Sequence, residues 1–113
     1  MTITMYRHEA RGQRGNWYGE EQVAGSYGMT YGEYTFTGTA VALPKTAAKR
    51  IQRIDATTAD GESMRHAALQ AECSNRKVDA LILMGWDEET SATYYVADPD
   101  STMERVRTIS MWG

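Results

Sequence analysis

Three clusters of side chains in this 113-residue chain have the chemistry of a site. The first is Tyr6-Arg7-His8. A guanidinium is a planar fork of N–H donors that grips a phosphate or carboxylate at two points. Arg7 either plays that part or is an ordinary surface arginine. His8 is either a base or a solvated partner of Glu9. The second cluster runs from Gly15 to Gly28, where Trp17, Tyr18 and Tyr27 stand among Gly15, Gly19, Gly25 and Gly28. Glycine costs entropy on folding but lets backbone approach a ligand closely, and aromatic faces beside it can stack on a ring. The same pattern also suits packing at the edge of a core. The third is Asp87-Glu88-Glu89. A loop is a usual place for a functional carboxylate, and equally for charges that solvate a hairpin. Lys45, Lys49, Arg50 and Arg53 add a basic face, which is either solvated or a dock for an acidic protein surface or a nucleic-acid backbone.

The elements that must position these residues follow from periodicity. Thr2 to Arg7 alternates and predicts a first strand. Trp17-Tyr18 reads as a short strand or an aromatic turn. Glu20 to Tyr27 predicts two helical turns with acids at the N-terminal end, stopped by Gly28. Tyr34 to Leu43, rich in Tyr, Thr, Phe and Val, predicts a strand. Gly38 within it marks a bulge or a close backbone approach. Pro44 ends the strand and suits the first position of a helix. That helix runs from Lys45 to Ile54, with Ala47, Ala48, Ile51 and Ile54 as its apolar stripe. Thr57 to Gly61 reads as a loop. Glu62 to Ser74 predicts a second helix with Met64, Ala67, Ala68 and Ala71 on one side. The apolar run Val78 to Met84 predicts a buried strand. Thr93 to Ala97 predicts another, Asp98-Pro99-Asp100 a turn, and Thr102 to Met111 a last strand. The expectation is an α+β domain spanning 1–113 with an antiparallel C-terminal meander.

Bulk properties narrow the function classes. Apolar content of 42% supports a core, and charged content of 24% is ordinary. A net charge of −3 argues against general nucleic-acid binding, which needs a basic surface. No window approaches the run of about 18 apolar residues that a membrane span requires. The lone Cys73 fits a reducing cytosol. His8, His66 and Cys73 have no metal-ligand spacing.

In order and spacing these segments resemble the ADP-ribosyltransferase-like superfamily, in its small phage and toxin versions. The likeness runs from Met5 to about Ile109. Met5-Tyr6-Arg7 resembles the first-strand motif whose polar residue holds NAD. Gly15-Asn-Trp-Tyr, with Glu21 to Gly28 and the strand from Tyr34, resembles the second block. Val78-Asp-Ala-Leu-Ile-Leu with Tyr94-Tyr-Val-Ala-Asp-Pro resembles the closing block. The resemblance implies a compact fold with an antiparallel sheet and two to three helices, and NAD as substrate. It implies that Arg7 binds the phosphate or ribose, with Tyr6 and His8 beside it among the cofactor-binding residues, and that Tyr18, joined by Trp17 or Tyr27, packs on nicotinamide. One of Asp87, Glu88 and Glu89 would supply the carboxylate that faces the developing positive charge. It further implies a phage protein acting in the bacterial cytoplasm, modifying a host protein of a defence system such as CRISPR-Cas. Many members carry glutamate where this chain has Thr93. That departure favours an alternative: a non-catalytic binder that occludes a defence complex or sequesters a nucleotide. Pairing with a second copy stays open.

Overall fold

The computed structural model describes residues 2–8, 15–20, 30–86 and 92–110. Seven strands form one sheet: β1 (Thr2–His8), β2 (Trp17–Gly19), β3 (Thr30–Thr37), β4 (Ala40–Ala42), β5 (Ala80–Met84), β6 (Ala92–Val96) and β7 (Met103–Ser110). Their order is β4-β5-β6-β2-β1-β3-β7. Helices α1 (Lys45–Gln52) and α2 (Ala59–Arg76) connect β4 to β5, which pair in parallel and so need a crossover. A single turn, α3 (Pro99–Thr102), joins β6 to β7. Among the described residues the protein is therefore α+β, with a mostly antiparallel sheet and three helices.

The connection from β3 to β4 dictates the shape of that sheet. These strands stand five places apart in the order, a separation of about 24 Å in a flat sheet. Only Gly38 and Thr39 link them, and such a link reaches at most about 11 Å. The sheet must therefore curl until its far members approach one another. One buried cluster duly unites Phe36 and Met103 from one end with Ala80 and Val96 from the other, around Met5, Tyr18, Tyr34 and Tyr94. Asp79 fastens the junction. Its Oδ2 accepts from the Thr39 amide at 2.9 Å and the Thr39 hydroxyl at 3.1 Å. Gly38 is the close approach its position suggested: a Cβ there would lie 2.6 Å from Asp79 Oδ2.

The convex face carries the helices. Leu81, Leu83 and Tyr95 from the sheet pack against Leu43, Ala47, Ile51, Leu69 and Cys73. Complete burial of one such leucine contributes about 1.5–3 kcal/mol. α2 starts at Ala59 because Thr58 caps it, its hydroxyl accepting the Gly61 amide at 3.0 Å. It ends at Lys77, which adopts the left-handed conformation at φ 56°.

Several expectations need correction. The loop expected at 57–61 is the cap and first turn of α2. The helix buries Gly61, Leu69 and Cys73; of Met64, Ala67, Ala68 and Ala71 only Ala68 packs against the core, and Met64 is 60% exposed. Leucine removes far more apolar surface from water than alanine, so Leu69 sets the inward face. The strand expected from Tyr34 to Leu43 is two strands broken at Gly38. The C-terminal meander does not form: β7 pairs with β3, across the sheet from β6. Val106 bulges out of that pairing between Arg105 and Arg107, which twists and protects this edge strand. The expected helix from Glu20 to Tyr27 lies almost wholly outside the described residues.

Candidate functional site

Residues 59–67 of α2 add no member to the core cluster that Leu69 and Cys73 join. The stripe that reads Leu69 and Cys73 inside the core continues N-terminally as His66 and Glu62, at spacings of four, three and four. These positions face a cleft of about 470 Å³. Glu62, Ser63, Arg65 and His66 form one wall, and Arg7 with Gly15, Asn16 and Trp17 forms the other.

Arg7 reaches the cleft through a gap in the sheet. The recorded cross-strand pair between β1 and β2 is Tyr6 with Gly19. Past it the Arg7 guanidinium donates from Nη1 to the Trp17 carbonyl oxygen at 3.1 Å. Gly15 makes room, since a Cβ there would stand 2.9 Å from both Arg7 terminal nitrogens. Asn16 ties the same wall to β6: its side-chain amide donates to the Val96 carbonyl at 2.7 Å, and its carbonyl accepts the Val96 amide at 2.8 Å. Trp17 is half-buried against Trp86 and edge-on to Tyr95, with ring centroids 5.6 and 5.3 Å away.

The helical wall is equally fixed. Arg65 donates from Nη2 to the carbonyls of Gln52 and Ile54 at 2.9 and 2.7 Å. Its guanidinium lies 5.6 Å from the Trp86 ring centroid. It therefore clips the end of α1 to α2. His66 is exposed, with Nδ1 2.8 Å from the hydroxyl of the fully buried Tyr95. Burial pushes the Tyr95 phenol up to about 12, so at neutral pH it holds its proton and can donate it. Where the Tyr95 hydroxyl donates to Nδ1, the ring carries a hydrogen on Nε2.

The expected site residues are distributed as follows. Arg7 and Trp17 come together in the cleft. Tyr6 is half-buried on β1 in register with Gly19. Tyr18 is 3% exposed and edge-on to Tyr34 at 5.3 Å. Successive strand residues point to opposite faces, so the concave core takes Tyr18 and the cleft takes Trp17. The His8 side chain, Tyr27, Asp87, Glu88 and Glu89 lie outside the described residues. On β6, Thr93 pairs with Gly19. Beside it, Glu20 accepts the Ala92 amide on Oε2 at 2.7 Å. Burial, reinforced by Glu20, raises the Tyr94 phenol. The basic face of α1 is exposed, with Arg50 paired to Glu72 at 3.4 Å.

Sequence reasoning missed Glu62, Ser63, Arg65 and His66. The available signal was the α2 stripe itself, apolar in one half and ionisable in the other. A helix stripe that turns polar while still facing a sheet borders solvent or a ligand. No helix among the described residues is long and apolar enough to cross a membrane. Comparison with protein-family models, with curated proteins and with solved structures returns no match.

Proposed function

We propose that this chain is a mono-ADP-ribosyltransferase that uses NAD as substrate and modifies a host protein. One observation carries the reading. The three segments that resemble that superfamily lie far apart in sequence, yet they form the neighbouring strands β6, β2 and β1, with Thr93, Gly19 and Tyr6 in one cross-strand row. A cleft opens beside that row at Arg7 and Trp17. In this reading Arg7 holds a phosphate or ribose oxygen, and Trp17 supplies an aromatic wall. The bond from ribose to nicotinamide breaks through an oxocarbenium-like state. Nicotinamide leaves with the bonding pair, the target's nucleophile bonds to the ribose carbon, and its proton passes to solvent. A carboxylate stabilises the positive charge. Asp87, Glu88 and Glu89 are the candidates from the loop, and Glu62 is a carboxylate of the cleft itself.

The test is incubation with labelled NAD and a bacterial lysate, which should label a discrete protein band. Arg7→Ala should abolish it in a folded protein. Absence of label, together with absence of NAD binding by calorimetry, overturns the enzyme reading. One observation favours a second reading, in which the chain binds without catalysis. The row Tyr6–Gly19–Thr93 carries no carboxylate. An unchanged biological effect in a folded variant combining Arg7→Ala with Glu88→Ala and Glu89→Ala would select that reading.

A further inference from the structure

The contact between His66 and Tyr95 does more than satisfy a buried phenol. A buried tyrosine hydroxyl needs a hydrogen-bond partner, and a backbone carbonyl would suffice. The His66 carbonyl itself lies 3.4 Å from the Tyr95 oxygen. The chain instead places an imidazole there, with Nδ1 at 2.8 Å, on a residue that lines the same cleft as Arg7. The phenol holds the ring's orientation from a rigid support, since Tyr95 is fully buried on a central strand. The ring further packs edge-on against Tyr95 at 5.6 Å. Such a second hydrogen bond is what sets the proton on the outer nitrogen of a working imidazole.

We propose that His66 is a binding residue for a phosphate group in the cleft, donating from Nε2–H opposite the Arg7 guanidinium, with Tyr95 as its positioning residue. The charges of the walls fit. Arg7 contributes a delocalised cation suited to phosphate oxygens. His66 contributes a directed N–H donor, a bond that gains strength when the acceptor is an anion. Ser63, one helical step from Glu62 and three from His66, adds a hydroxyl on the same wall. Glu62 stands one helical turn from His66 on the same wall and leaves the anion itself to Arg7 and His66. It suits a ligand whose phosphate is joined to a hydroxyl-bearing part, which a carboxylate can accept from. The ligand class is therefore a phosphorylated sugar or nucleotide. This rests on the reading above for the location of the site, and not on the bond that is cleaved.

The test uses inorganic pyrophosphate as the probe, followed through tryptophan fluorescence because Trp17 lines the cleft, with NAD titrated in parallel. His66→Ala should weaken pyrophosphate binding about tenfold, the scale of one hydrogen bond to a charged group. His66→Gln, whose amide can accept from Tyr95 and donate outward, should stay within about threefold of wild type. In the unmodified protein, nitrogen-15 spectra of the imidazoles should show His66 protonated on Nε2, with that resonance shifting as pyrophosphate is added. Tyr95→Phe should convert the ring to a mixture of tautomers. Wild-type protein that takes up no pyrophosphate, or a His66 Nε2 resonance that stays fixed at saturation, overturns the proposal without recourse to any variant. Pyrophosphate bound through His66 with no NAD binding or transfer supports this inference and overturns the transferase. NAD bound equally by wild type and folded His66→Ala overturns the inference and leaves the transferase standing.

Discussion

Replacing Gly61 with alanine should destabilise the protein, against the helix propensity of the substitution. Alanine is favoured over glycine inside a helix by about 1 kcal/mol, and Gly61 sits in the first turn of the 18-residue helix α2. The structure reverses the sign. A Cβ at this position would stand 1.6 Å from the Asp55 carbonyl oxygen and 2.9 Å from Thr58 Oγ1. The first contact is with backbone, so the 55–58 segment or the helix must move by about 2 Å to restore ordinary van der Waals separation. That movement acts on two devices at once. Thr58 caps the helix through the Gly61 amide at 3.0 Å, and Arg65 holds the Gln52 and Ile54 carbonyls just before Asp55. Overpacking costs about 1–3 kcal/mol, a weakened cap about 1 kcal/mol and strained charged hydrogen bonds about 1 kcal/mol more. After the propensity gain, the net loss is about 2–4 kcal/mol, which lowers the melting temperature of a domain this size by about 10–15 °C. Circular dichroism melts of wild type and Gly61→Ala measure it. Ala67→Gly, on the exposed side of the same helix, calibrates propensity alone and should cost about 1 kcal/mol. A melting temperature for Gly61→Ala equal to or above wild type would refute the packing of Asp55 on α2.

Three further outcomes are expected. Lys77→Gly should raise the urea midpoint by the equivalent of about 0.5–1 kcal/mol, because Lys77 holds a left-handed conformation that glycine adopts without steric cost; a lower midpoint would contradict that helix end. Gly15→Ala should leave the melt within about 0.5 kcal/mol of wild type, since its Cβ meets only the flexible end of Arg7. It should nevertheless weaken pyrophosphate binding by displacing that guanidinium, and unchanged affinity would count against the placement of Arg7. Burial, with Asp79 and Glu72 nearby, pushes the Cys73 thiol from 9.0 to about 11, and burial pushes Tyr95 from 10.0 to about 12. Both groups stay neutral on folding while the unfolded chain ionises, so their contribution is whole below about pH 9 and drains away as pH rises to 12. Urea midpoints across that range should fall, and at pH 8 the native thiol, about a thousandth thiolate, should react with a disulfide reagent far more slowly than the unfolded one.

What could be read from the chain was local. Alternation over Thr2–Arg7, the β-rich run around Phe36 and the apolar run into Leu83 each specified a strand, because one strand's pattern depends on its own two faces. The break at Gly38 was visible as a glycine inside a strand, and its cause was not. Asp79, which fills the space, lies 41 residues away. The meander was misread for the same reason. Nothing in Met103–Ser110 says that its partner is β3 rather than β6, because an alternating strand suits any edge of matching register. At the site, Arg7 and Trp17 were picked out by residue type beside glycine. Tyr18 was picked out by the same signal, and only the faces of the sheet separate it from Trp17.

The cleft exists because two structural necessities leave a gap between them. The parallel pairing of β4 and β5 requires a long crossover, and α2, capped at Thr58, supplies 18 residues of it. Leu69 and Cys73 anchor its C-terminal half over Leu81, Leu83 and Tyr95, while Glu62 and His66 take no part in that cluster. On the other side, the curled sheet takes Tyr18 inward. That leaves the Trp17 carbonyl to be met by the Arg7 side chain. A polar stripe above and a guanidinium below then face each other across about 470 Å³. Glu62, Ser63 and His66 are exposed on that wall, and a concave surface with a few convergent polar groups is what the proposed site would use.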